Sequence, residues 1–291
     1  MGFIYEILGT VLNAIYKIIP DFGWAIIVFT VIVRLLLLPL TLKQQKSMAG
    51  MQKIQPELAK IQKKYANDKE KLNQETMKIY QENNINPMGG CLPLLIQMPI
   101  LIAVYRVIQQ PITYILKIDL PSKISDALQK AANVKSGITT ELDIVAFVNN
   151  NMDKAVETVK KVGEQFDLKS LQIDFEFFGL NLGLTPNGGG DILLYIIPVI
   201  CVITSFMVSK VGQPKKDENA QQGSMAMMTY IFPFMTGYFC MMLPAAMGVY
   251  WIAGNVIQMI QTVVLNKIFN KNEKDPLVIE NNKENNAKKK K

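Results

Sequence analysis

Arg34 is a charged side chain near the middle of an apolar run, residues 23–42 (GWAIIVFTVIVRLLLLPLTL). At about 1.5 Å per residue, a helix of this length crosses a hydrocarbon core about 30 Å thick, so we interpret the run as a transmembrane helix. A guanidinium near the centre of such a helix costs roughly 2.5 to 3.5 kcal/mol on insertion scales, and it cannot lose its proton to escape. The sequence therefore predicts a partner or an environment that compensates this charge.

No acidic residue that could compensate Arg34 lies inside another apolar run. Asp191 comes closest, and it lies at the boundary of a run. We therefore expect Arg34 either to face a water-filled cavity among the helices or to attract an acidic group from outside the chain. The alternative is a structural arginine that backbone carbonyls and Gln or Ser side chains satisfy. The only other arginine, Arg106, lies near the end of its apolar run, and we interpret it as an interfacial anchor.

Several polar side chains interrupt the other apolar runs and could surround Arg34. They are Gln97, Thr204, Ser205, Asn255, Gln258 and Gln261. If they converge on Arg34, they form a hydrophilic groove by which a polar segment enters the bilayer without meeting hydrocarbon. If they do not, they are hydrogen-bonding contacts between helices. We predict a substrate-binding groove lined by Arg34, Gln97, Thr204, Ser205, Trp251, Asn255 and Gln258.

The residue types that the chain lacks exclude most catalytic chemistry. Histidine is absent, which removes Ser-His and Cys-His nucleophile pairs, the HExxH metalloprotease helix and imidazole metal sites. The three cysteines, Cys91, Cys201 and Cys240, have unrelated spacings and predict neither a disulfide framework nor a zinc site. No nucleotide-binding motif is visible. We therefore expect no metal, no cofactor and no covalent reaction.

An apolar content of 49%, concentrated in near-continuous runs, predicts an all-α polytopic membrane protein. The five predicted transmembrane spans lie in residues 22–42, 91–116, 191–209, 225–242 and 243–266, the last of which begins with a short turn. The other segments are an interfacial amphipathic helix (1–21), a lysine-rich helical hairpin (43–90), a long region (117–190), a short loop (210–224) and a basic tail (267–291). Lysines concentrate in the hairpin, the loop and the tail. This bias predicts that these three segments are cytoplasmic and that the N-terminus lies outside the cell membrane.

Three of the segments between the spans carry more specific expectations. Residues 2–19 have apolar side chains at helical spacing, which favours a helix in the membrane interface over the alternative of a cleaved signal peptide. Within 117–190 we expect short helices near 121–132 and 153–166, followed by a flexible lead-in to the third span. The tail, with eight lysines and four acidic residues, is expected to be disordered.

The basic cytoplasmic segments could bind a polyanion or an apolar partner. Candidate residues for the recruitment of substrates or ribosomes are Met48, Met51, Lys53, Lys60, Lys63, Lys64, Lys288, Lys289, Lys290 and Lys291. Lysines beside a bilayer attract anionic lipid, and a basic tail can also bind ribosomal RNA.

Eight of the 16 methionines lie between Met225 and Met259. Their clustering fits a surface for varied apolar partners, and ordinary core packing is the alternative.

Four stretches of the chain together resemble a known family. They are the first span with its arginine and the lysine-rich hairpin after it, NPMGGCLPLLIQMPILIAVYRVI (86–108), FFGLNLGLTP (177–186) and GVYWIAGNVIQMIQ (248–261). Over about residues 1 to 270 the chain resembles YidC-type membrane protein insertases of the Oxa superfamily, in the compact form of bacteria with a single membrane. Many such relatives begin with a lipoprotein signal and an anchoring cysteine. This sequence shows neither, so we expect the helix at 2–19 alone to hold its outer end.

The resemblance implies a five-span core whose groove opens to the cytoplasm and the lipid. It implies that Arg34 draws in the acidic or polar outer part of a nascent membrane protein, which then leaves sideways past the third and fifth spans. It also implies partnership with the ribosome and the Sec translocon, contact with membrane lipids, and a monomer as the working unit. Region 117–190 is longer than in compact relatives and far shorter than the large periplasmic domain of the enterobacterial type.

Two other functional classes compete with an insertase. A small-anion channel or transporter could use Arg34 as its binding charge, although five spans without an internal repeat argue against it. An intramembrane protease is disfavoured because histidine and an acidic pair in the spans are both missing.

Overall fold

The computed structural model describes residues 2–83, 85, 92–133, 140–188, 191–211 and 223–273. These parts of the chain fold mainly into helices, of which the first five are α1 (Gly2–Ile18), α2 (Phe22–Leu36), α3 (Leu38–Lys64), α4 (Lys69–Glu82) and α5 (Leu92–Gln109). The next six are α6 (Ser122–Ala131), α7 (Thr140–Asn150), α8 (Met152–Val162), α9 (Ile196–Val211), α10 (Gly223–Met242) and α11 (Ala245–Glu273). Two short antiparallel strands, β1 (Glu176–Phe177) and β2 (Leu180–Asn181), pair Glu176 with Asn181.

The apolar run at 23–42 is bent and does not form one straight helix as its composition suggests. Helix α2 ends at Leu36, α3 begins at Leu38, and the two axes differ by 60°. The break has a cause in the sequence, because Pro39 lacks a backbone N–H and its ring would clash with a carbonyl one turn earlier. Arg34 therefore lies in the last turn of α2, beside the bend, where a cation complements the helix dipole.

Two helical segments in the described part of the chain are long and apolar enough to cross a bilayer. They are Ile192–Val211, with a mean hydropathy of 2.5, and Ala245–Leu265, with a mean hydropathy of 1.3. The bent pair α2 and α3 makes a third if it counts as one span, and Tyr230–Met242 is a shorter apolar stretch within α10. The described residues therefore support two or three of the five predicted spans, and the number five stays a prediction.

Two segments differ from their predicted form at their boundaries. Helix α11 continues to Glu273, so the first residues of the tail, which was expected to be disordered, are helical. The sequence permits this because the first proline after the span is Pro276. The polar stretch after the bend forms α3 and α4, joined by a short link. Ile85, beyond α4, lies 3.6 Å from where a Cβ on Gly50 would stand, so the chain returns along α3.

The region after α5 is packed rather than loose. Helices α6 to α8 and the turn at Leu168–Leu171 enclose a buried apolar core with α1 and the first residues of α2. The lead-in to the third span, expected to be flexible, is hydrogen-bonded to α11. The backbone N–H groups of Ala245 and Ala246 donate to the carbonyls of Leu184 and Leu182 at 2.8 and 2.9 Å. These bonds satisfy N–H groups that a helix start leaves free. The end of the bundle that contains α1 is thus held by more than α1.

Phe22 is the centre of this apolar core, and its truncation should destabilise the fold. The ring is fully buried, with its centroid 4.9 Å from that of Phe175 and 6.3 Å from that of Tyr16, both edge-on. We expect Phe22→Ala to lower the free energy of unfolding by about 3 to 5 kcal/mol, because a cavity replaces these contacts. Thermal unfolding in detergent measures the change. Ile18→Ala, at an exposed position, is the control, and equal midpoints for the two variants would contradict the assignment.

Candidate functional site

The Arg34 guanidinium lies against the backbone of α11. Its Nη1 donates a long hydrogen bond of 3.4 Å to Oε1 of Gln258. A Cβ placed on Gly254 would stand 2.9 Å from Arg34 Nη2, closer than a Cβ normally approaches another atom, and 3.4 Å from Nε. Glycine at this position therefore allows the guanidinium to approach α11 closely.

A stripe of residues at four-residue spacing on α11 faces Arg34 and its neighbours. It consists of Tyr250, Gly254, Gln258 and Thr262, which share one side of the helix. At the Tyr250 end of the stripe, Gln97 Nε2 of α5 donates to Tyr250 Oη at 3.2 Å, and Tyr250 is only 3% exposed. At the Thr262 end, Gln45 Nε2 of α3 donates to Thr262 Oγ1 at 3.0 Å. The stripe thus joins α2, α3 and α5 to α11 through polar side chains.

In the described part of the chain, nothing in contact with Arg34 carries an opposite charge. Among the residues that the structure describes, no carboxylate forms an ion pair with Arg34. A guanidinium carries five N–H donors, and its contact with Gln258 engages one of them. Further along, the buried amide oxygens of Gln45 and Gln261 accept no hydrogen bond within the described residues. Such buried acceptors require water or an incoming donor.

A second polar cluster lies on a different side of α11 and contacts α9. Asn255 Nδ2 donates to Thr204 Oγ1 at 3.1 Å and to Ser205 Oγ at 2.9 Å. Trp251, half-buried, packs against the apolar core. The predicted groove residues therefore separate into two sets. One lies along the stripe, where Arg34 contacts Gln258 and Gln97 contacts Tyr250, and the other surrounds Asn255.

Asn255 should hold α11 to α9. We expect Asn255→Leu to lower the free energy of unfolding by about 1 kcal/mol, the usual size for a polar contact between membrane helices. The loss stays small because Thr204 Oγ1 also donates to the carbonyl of Ile200 at 2.8 Å and keeps this bond in the variant. The midpoint of denaturant unfolding measures the effect, with the exposed Val256→Leu as control. A stability equal to that of the control would contradict the assignment.

The recruitment residues predicted on the cytoplasmic side are placed in part. Met51 is half-buried on α3, and the side chains of Lys53, Lys60, Lys63 and Lys64 are exposed on the same helix. The side chain of Met48 and the four lysines of the terminus, Lys288, Lys289, Lys290 and Lys291, lie outside the described residues. No group of three or more metal-binding side chains occurs in the described part of the chain.

Sequence reasoning missed four contributors to the site. They are Gln45, Tyr250, Gly254 and Thr262. The last three could have been found from their spacing, because they stand at intervals of four residues from Gln258, which was predicted. Gln45 gave no such signal, since the bend at Leu37 brings it to α11.

A helical bundle with spans long enough for a bilayer, and with an arginine held among its helices, defines an integral membrane protein. Residues 14–273 match the sequence model of the family described as 60Kd inner membrane protein. The chain therefore belongs to this family, the YidC/Oxa family.

Curated relatives of the chain include several proteins named membrane protein insertase. The Listeria monocytogenes serotype 4b protein named YidC 1 is 33% identical over 275 residues, covering 93% of this chain and 73% of the relative. The Fusobacterium nucleatum YidC is 32% identical over 271 residues, covering 92% of this chain and 98% of the relative. The Clostridium perfringens YidC is 34% identical over 246 residues, covering 82% and 77%. The chain thus spans most of the length of these relatives.

A solved structure shares the fold. It is described as an active YidC insertase with the first transmembrane domain resolved, and it matches with a TM-score of 0.50 and 25% sequence identity. The match covers 90% of this chain and 45% of the other, so this chain spans less than half the length of that protein.

Proposed function

We propose that this chain is a membrane protein insertase that moves short hydrophilic segments of nascent membrane proteins along a polar groove and releases their transmembrane helices into lipid. The observation that carries the proposal is the guanidinium of Arg34, which rests on Gly254 beside Gln258 with no ion-pair partner among the described residues. The insertase names of the relatives support the same class of function. No covalent step and no nucleotide is required.

Arg34 would act on the polar outer tail of a substrate. Two opposite unit charges about 4 Å apart attract each other by about 4 kcal/mol at an effective dielectric constant of 20. This attraction is larger than the cost of placing an isolated charge at this depth, which is roughly 2.5 to 3.5 kcal/mol. An acidic side chain is therefore stabilised near the guanidinium. The buried oxygens of Gln45 and Gln261, which accept no hydrogen bond among the described residues, would accept one from water or from the tail. A membrane potential positive outside adds up to about 2.3 kcal/mol per negative charge per 100 mV.

The exit path would follow the apolar surfaces of α9 and α11. Large apolar side chains are exposed along both helices, among them Val199, Ile203, Met207, Val256, Ile260 and Val263. A substrate helix that reaches this surface meets lipid on its other side. Partition of its apolar side chains into hydrocarbon then drives release.

The proposed topology places α3, α4 and the terminus in the cytoplasm and α1 with the region after α5 outside. The exposed lysines of α3, with those at Lys288 to Lys291, would attract the ribosome and anionic lipid. The chain would work as a monomer, alone or beside the Sec translocon.

Reconstitution tests the proposal directly. A single-span protein with a short acidic outer tail is synthesised in the presence of proteoliposomes that contain this chain, and protease protection of the tail reports insertion. We expect protection well above that in empty liposomes, and equal protection in both would overturn the proposal. The same vesicles, loaded with a chloride-sensitive dye, test the anion-channel alternative. The insertase function predicts no flux above that of empty liposomes.

A further inference from the structure

Two cysteines that are far apart in sequence meet in the core of the bundle. Cys201 of α9 and Cys240 of α10 are fully buried, and their Sγ atoms lie 2.9 Å apart. The two sulfur atoms of a disulfide are about 2.05 Å apart, so these thiols lie less than about 1 Å from bonding distance. The sequence spacing gave no indication of this pair.

The surroundings of the pair are built for close approach of three helices. On α10, a Cβ on Gly237 would stand 2.4 Å from Cγ2 of Val202, the neighbour of Cys201. On α11, Cys201 Sγ lies 3.4 Å from the carbonyl oxygen of Gly248, and a Cβ on Gly248 would collide with Ile197 at 2.3 Å. Glycine at both places lets the backbones come together around the thiols.

We infer that Cys201 and Cys240 form a disulfide that joins α9 to the outer end of α10 when a lipid-soluble two-electron acceptor is present. Two S–H bonds break and one S–S bond forms, while two electrons and two protons pass to the acceptor. A quinone acceptor is thereby reduced to a hydroquinone, and an azo compound is reduced to a hydrazine. A lipid-soluble acceptor is required because both thiols are buried among spans. The bond would fix α9 beside the turn between α10 and α11.

Cyanogen bromide mapping of the full chain tests this inference. Cleavage after methionine places each cysteine on a separate peptide, with Cys91 on 89–98, Cys201 on 153–207 and Cys240 on 236–241. The reduced protein in proteoliposomes is treated with diamide and, in parallel, with copper phenanthroline. It is then denatured, alkylated with N-ethylmaleimide and cleaved. We expect the peptides 153–207 and 236–241 as one species that lacks two hydrogen atoms and carries no alkyl group on either cysteine.

Two variants make the result specific. Cys240→Ser should abolish the linked species and restore alkylation of Cys201, whereas Cys91→Ser should leave the link intact. Full alkylation of both cysteines after treatment with each of the two oxidants would overturn the inference, as would a link to peptide 89–98 or to a second chain. Copper phenanthroline oxidises thiols within the bilayer, so poor access of diamide cannot account for a negative result with both reagents.

Discussion

Arg34→Ala is expected to slow the insertion of a single-span protein with an acidic outer tail by about tenfold to a hundredfold. The range corresponds to a loss of about 1.4 to 2.8 kcal/mol, at about 1.4 kcal/mol per factor of ten, which is below the full interaction of two charges in contact. Arg34→Lys should retain part of the rate, because it keeps the charge but loses the planar set of donors. Protease protection of the tail over time measures all three proteins.

Two controls separate this effect from damage to the fold. Arg106→Ala removes the other arginine of the chain, which lies in the last turn of α5 outside the proposed groove, and should insert the substrate at the original rate. The unfolding midpoint of Arg34→Ala should not fall below that of the original protein, since the variant removes a buried charge. If Arg34→Ala inserts the substrate as fast as the original protein, the arginine is structural.

The second large effect is expected when Gly254 is replaced by a residue with a side chain. A Cβ on Gly254 already stands 2.9 Å from Arg34 Nη2, so Gly254→Val places a branched side chain where the guanidinium lies and pushes it away from Gln258. We expect the insertion rate to fall to within about threefold of that of Arg34→Ala, because displacement removes much of the same interaction. The exposed Val31→Leu, on α2 and outside the proposed exit surfaces of α9 and α11, should leave the rate unchanged.

Combining the two substitutions shows whether Gly254 acts through Arg34. If Gly254→Val works by displacing the guanidinium, it should not slow insertion further in a protein that already carries Arg34→Ala. Additive losses would mean instead that the valine disturbs α11 independently, and the role assigned to Gly254 would be incorrect.

The sequence predicts the side chains of the site better than their arrangement. Arg34 and Gln258 stand out because polar residues are rare in apolar runs, and the structure brings the two side chains into contact. Their contact depends on which faces of α2 and α11 pack together, and periodicity within one helix does not contain that information. Gly254 was missed for a related reason, because its role lies in the space it leaves open.

The fold was predictable where composition alone decides and less so where distant segments meet. Apolar runs indicate the helices, but Pro39 shortens α2 and turns α3 away, which an average over the run at 23–42 conceals. In the region after α5, the sequence indicates the short helices that the structure has as α6 and α8, but it does not show what they pack against. The region is ordered by long-range contacts such as that of Phe22 with Phe175, which join segments far apart in the sequence.

The proposed function depends on attraction between the charge of Arg34 and the substrate tail. Substitutions made in both this protein and the substrate test this attraction. Two substrates that differ only in Asp or Asn residues in the outer tail are inserted by the original protein and by Arg34→Ala, with the membrane potential held at zero. We predict faster insertion of the Asp tail by the original protein, and a ratio near one for Arg34→Ala. The same preference for the Asp tail in both proteins would contradict the claim.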